Sequence, residues 1–137
     1  MKEEIINKNL LQLENIDLQE PNFNSYIVTK SYELIQKKLK DFTIEDLRIM
    51  INQNISLKYL IPLALEKLQN NLFVDGDLYS GDLLNSVVSI DNKYWNNNEN
   101  YLINLQTLIK SYEFVDIPDD VPAELILTLK KFIKNHE

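Results

Sequence analysis

The sequence predicts an all-α fold: a compact, single-domain antiparallel bundle of five to eight helices spanning 1–137. Three observations lead there. Glycine occurs only at Gly76 and Gly81 and proline only at Pro21, Pro62, Pro118 and Pro122, too few breakers for the many turns of an all-β protein. Apolar residues recur at helical spacing in window after window. The 137 residues, 45% apolar and 9% aromatic, suffice for one hydrophobic core and not for two. Neither a linker nor an internal repeat of about 30 to 45 residues suggests a solenoid.

In chain order, a short helix is expected near 8–15, and Val28, Tyr32, Ile35 and Leu39 carry the helical spacing through the next segment. Thr43 can cap a helix over 44–53, with Glu45 and Asp46 in its positive first turn and Ile44, Leu47 and Ile51 facing inward. The clearest amphipathic face is Leu57, Leu60, Ile61, Ala64, Leu65 and Leu68. Pro62 interrupts it by removing the bond to the Lys58 carbonyl, so the main helix is expected to start near Pro62. A loop covers 70–80 and a short helix 81–89, with Leu83, Leu84, Val87 and Val88 on one side. Tyr101, Leu102, Leu105, Leu108, Ile109 and Tyr112 form another face. Pro122 suits the first turn of a last helix, capped by Asp119 or Asp120, with Leu125, Leu129, Phe132 and Ile133 inward and Lys130, Lys131 and Lys134 near its negative end.

The chemistry is mostly exclusion. There is no cysteine, hence no disulfide, thiolate zinc site or thiol nucleophile, and a reducing cytoplasm fits. Met1 to Leu13 has no continuous apolar stretch and resembles neither a signal peptide nor a membrane span. His136, the one histidine, sits beside the chain end and reads as a solvated tail residue. No serine lies in G-x-S-x-G, no internal histidine could complete a triad, and no glycine pattern cradles phosphate. Counting a calcium loop from Asn71 puts Phe73 at a position that needs an oxygen. Catalysis, a cofactor and a small-molecule substrate are therefore not expected.

The loop D-G-D-L-Y-S-G-D over 75–82 reads as structural, its glycines permitting turns and Asp77 and Asp82 satisfying amides. Trp95 and Tyr94 read as core, packed on the 57–68 helix. Lys37, Lys38 and Lys40 read as a solvated helix end, and the Asn-rich run at 96–100 is given no role. Charge is more informative: 14 basic against 21 acidic residues give −7, which argues against direct nucleic-acid binding. The segment 111–124 holds Glu113, Asp116, Asp119, Asp120 and Glu124 and no basic residue. It could face a basic partner or simply aid solubility.

Four strings in order carry a resemblance: D-F-T-I-E-D-L-R-I-M-I-N-Q-N-I at 41–55, Y-L-I-P-L-A-L-E at 59–66, G-D-L-Y-S-G-D-L-L at 76–84 and Y-W at 94–95. With S-Y-I-V-T at 25–29 they resemble the helical contact-dependent growth inhibition (CDI) immunity proteins, over about residues 10–110. The acidic segment and last helix, 111–137, lie outside it. Two departures are Ser56, where the family often has glycine, and Ser80, where it often has proline. The resemblance implies a cytoplasmic antitoxin that binds the C-terminal toxin domain of an effector, often a nuclease, and blocks it without catalysis. It also implies that Asp46, Leu47, Pro62, Gly76, Asp77, Tyr79, Gly81, Asp82 and Trp95 maintain the fold. Toxin contacts are then expected on less typical surface, at Asp75 and at Glu113, Asp116, Asp119, Asp120 and Glu124. The alternative is a small acidic helical adaptor unrelated to toxins.

Overall fold

The computed structural model describes residues 1–16, 25–114 and 116–137, so Pro21 and Val115 fall outside the described residues. These residues form nine α-helices and no sheet: α1 Glu3–Ile6, α2 Leu10–Glu14, α3 Tyr26–Leu34, α4 Ile44–Asn52, α5 Leu57–Asn70, α6 Asp82–Val88, α7 Asn92–Asn96, α8 Glu99–Lys110 and α9 Ala123–Asn135. Single 3₁₀ turns cover Leu39–Asp41 and Ser111–Phe114. The count exceeds the expected five to eight because α1 and α7 have only four and five residues, too few to display a helical period.

Helices α4, α5 and α6 pack on one another and form the centre, with α3 against α4, α8 against α5, and α9 against α6 and α8. Their inward faces follow the sequence pattern: Leu47, Ile51, Leu60, Ile61, Ala64, Leu83, Leu84, Val87, Leu105, Ile109 and Leu129 are each at most 1% exposed. One cluster runs from Leu10 to Phe132. The N-terminal helices are stitched on by backbone bonds, Leu11 N–H to the Ile35 carbonyl and Leu39 N–H to the Lys8 carbonyl, and Ser56 Oγ donates to Glu14.

Several boundaries differ from expectation. Helix α3 stops at Leu34, short of Leu39: Lys38 is extended (φ −61°, ψ 140°), and the Leu39 N–H donates to the Lys8 carbonyl across the fold rather than within a continued helix. Pro62 does not begin α5 but lies inside it. The interruption is tolerated because the carbonyl it strands belongs to exposed Lys58, while buried Leu60, Ile61, Ala64 and Leu65 anchor both sides of the gap. Before it, Ser56 has φ +53°, a left-handed conformation that glycine would adopt with less strain. Neither Asp119 nor Asp120 caps α9. Pro122 occupies the cap position without a side-chain bond. His136 is not a free tail residue either: its ring lies 4.5 Å from that of Phe132, and its carbonyl accepts a 2.7 Å bond from Gln106 Nε2.

Thr43 behaves as the sequence indicates. Its hydroxyl accepts the Asp46 N–H at 3.1 Å while Asp46 Oδ2 accepts the Thr43 N–H at 3.0 Å, a reciprocal cap. It fixes the start of α4, from which Glu45 reaches the loop between α5 and α6 and Asp46 pairs with Lys37.

Candidate functional site

The loop that joins α5 to α6 is held by three carboxylates from three parts of the chain. Asp82, only 2% exposed, accepts the Gly76 N–H at 2.6 Å and the Leu78 N–H at 3.0 Å. Glu45 Oε1 accepts the Asp77 N–H at 3.1 Å. Asp120 Oδ2 accepts the Ser80 N–H at 3.0 Å. An antiparallel bridge between Asp75 and Ser80 and a Gly81 N–H bond to the Val74 carbonyl close the base. Satisfying this many loop amides with anionic acceptors makes a rigid hairpin-like projection.

The two glycines serve it differently. Gly81 has φ +94°, so it supplies the left-handed turn. Gly76 has no positive φ. It is needed for space, because a Cβ there would sit 2.7 Å from Glu45 Oε1 and 2.9 Å from Asp82 Oδ2. That corrects the expectation that both are turn residues.

Behind the loop lies an ion-pair layer. Arg48 grips Glu45 with two bonds of 2.6 Å and stands 3.9 Å from Asp82. That bidentate grip holds the Glu45 carboxyl below its usual range despite burial, with the Asp77 N–H helping. On the other side Lys37 Nζ reaches Asp46 Oδ2 at 2.6 Å, and Lys30 lies 3.9 Å from Oδ1. Burial raises the Asp46 pKa, but Lys37 and the Thr43 N–H together outweigh it and leave the carboxyl below its ordinary range. Lys37 is thus committed to a buried acid rather than solvated. Lys38 and Lys40 remain exposed.

The expected toxin-facing residues are all exposed: Asp75, Glu113, Asp116, Asp119, Asp120 and Glu124. The Asp75–Ser80–Asp120 chain of backbone and side-chain bonds brings the 75–80 loop and the acidic segment together. Ser80, through its hydroxyl and N–H, holds the Asp120 carboxyl below its ordinary range. Glu113 is set apart, sharing a furrow of about 310 Å³ between α8 and α9 with Lys110 and Lys130. Glu124 stands on the first turn of α9.

Asp77, expected to satisfy amides, is exposed and instead donates its own N–H to Glu45. Leu47 and Trp95 are fully buried, and the Tyr79 hydroxyl accepts a 2.8 Å bond from Asn85. The Trp95 ring meets Tyr94 edge-on at 5.0 Å and Phe132 of α9 at 6.0 Å. The sequence did not single out Arg48, Tyr26 or Leu78, and it misassigned Lys37 to solvent. Arg48 is the one arginine among 14 basic residues, a signal that could have singled it out for bidentate pairing. Tyr26 and Leu78 are 67% and 62% exposed, and no pattern foretells an exposed apolar side chain.

Among the described residues, no group of three or more potential ligand side chains could hold a metal ion, and no helix is long and apolar enough to cross a membrane. A family model described as CDI immunity proteins matches residues 12–105. No curated protein matches the chain.

Proposed function

Because the chain belongs to the family of CDI immunity proteins, we propose that it neutralises its cognate CDI toxin by binding the effector's C-terminal toxin domain one-to-one in the cytoplasm. It acts as a stoichiometric inhibitor, not an enzyme, and the toxin domain is a nuclease whose basic cleft it occludes. The family match carries this reading. The acidic surface supports it: five carboxylates and no basic residue over 111–124 can stand in for nucleic-acid phosphate and speed association. A single core cluster from α2 to α9 supports reading 1–137 as one domain. The toxin-facing residues are Asp75, Glu113, Asp116, Asp119, Asp120 and Glu124.

Co-expression tests it. Cells producing the toxin domain encoded beside this chain should grow only when the chain is also produced. Unrelieved toxicity would leave the adaptor reading. Replacing Glu113, Asp116, Asp119, Asp120 and Glu124 together by Gln and Asn should slow stopped-flow association at low salt and flatten its salt dependence. Equal rates would remove the acidic segment from the interface.

A further inference from the structure

We propose that Tyr26 and Leu78 are the apolar anchors of the toxin-facing surface, entering apolar depressions on the partner that basic side chains border. The proposal rests on the antitoxin reading above and adds to it the place and chemistry of contact. Leu78 is 62% exposed, yet the backbone beneath it is pinned: its own N–H is held by Asp82, that of Asp77 by Glu45 and that of Ser80 by Asp120. Nothing in this framework requires an apolar side chain at the tip. A leucine presented on a pre-ordered backbone gives up little further freedom when a partner covers it.

Tyr26, 67% exposed, stands across an open cleft of about 500 Å³ that it lines with Asp75, Gly76 and Asp77. Tyrosine is enriched among residues that dominate binding energy. The charges around the pair decide the partner's chemistry. Asp75 and Asp77, both exposed, line the cleft with Tyr26, and Asp77 precedes Leu78 in the chain; exposed Asp120 is bonded to Ser80, with exposed Asp119 next to it in sequence. The cleft's own cations, Lys30 and Lys37, already face Asp46. The field at the anchors is negative, so a complementary surface is apolar at its centre and basic at its rim. Ile103 on α8 and Leu127 on α9, 59% and 57% exposed, lack this setting and serve as controls.

The test uses the full chain and the toxin domain encoded beside it, with dissociation followed by surface plasmon resonance. Tyr26→Ala and Leu78→Ala should each raise the dissociation rate about tenfold or more, whereas Ile103→Ala and Leu127→Ala should change it less than about twofold. All four sites are exposed, so melting temperatures should stay near wild type and certify the fold. Unchanged dissociation for the first two variants, with wild type bound, overturns the anchors while leaving the antitoxin reading intact. A wild-type chain that does not bind the toxin domain overturns that reading and the anchors with it.

Discussion

Ser80 gives its backbone N–H to Asp120 Oδ2 at 3.0 Å across 40 residues of chain. This bond ties the acidic segment to the 75–80 loop. A proline at position 80 would have no N–H to give. Ser80 therefore fixes one charged segment of this chain against the loop between α5 and α6.

Asp120 should titrate below the ordinary aspartate value of 3.8. In Ser80→Pro it should return toward that value, and in Ser80→Ala only part of the way, since the N–H remains. Carboxyl carbon shifts followed by NMR across acid pH check this. The same titration midpoint in all three proteins would contradict the tie.

Stability should fall at acid pH in a way traceable to Asp46. Its folded pKa lies below the usual 3.8, so the folded state favours the charged form. Its contribution is then complete above the unfolded pKa and is lost as pH drops through the folded value. Urea midpoints should be flat from neutral pH to about 5 and decline below about 4. Lys37→Met should start less stable and decline less steeply. Parallel curves for the two proteins would remove the Lys37–Asp46 pair as the cause.

Asp82 should be the costliest polar residue of the loop. It anchors two amides and is 2% exposed, so Asp82→Ala should lose roughly 3 kcal/mol in urea unfolding. Gly76→Ala should lose about 1–3 kcal/mol by pushing the Glu45 and Asp82 carboxylates apart. Coupled effects in the double variant, smaller than the sum, would identify the shared site. Strict additivity would mean that the two residues act independently.

Trp95 to Ala should cost roughly 3–5 kcal/mol, the price of emptying a fully buried indole site. Its fluorescence in wild type should resist acrylamide quenching until the protein unfolds. Ready quenching under native conditions would place the ring at the surface.

Much of this fold was legible in the sequence where periodicity is long. The faces of α5, α8 and α9 and the Thr43 cap of α4 follow from apolar spacing and from a side chain that can accept its own helix's amides. Short elements were not legible, because α1 and α7 span barely more than a turn. Leu39 left its helix for a tertiary bond to Lys8, which local spacing cannot encode. At the site, the importance of the 75–82 string was visible in its glycines and acids. The partners were not: Glu45, Arg48 and Asp120 are distant in sequence, and only the packing of α4, α6 and α9 brings them to one loop.

Silencing of a CDI toxin by one-to-one binding, as proposed, leaves a direct signature. Titrating the purified full chain into the toxin domain encoded beside it, while following that domain's activity on nucleic acid, tests this most directly. Activity should fall linearly to nothing at an equimolar ratio, as nanomolar or tighter affinity requires. Full toxin activity in the presence of excess chain would contradict it.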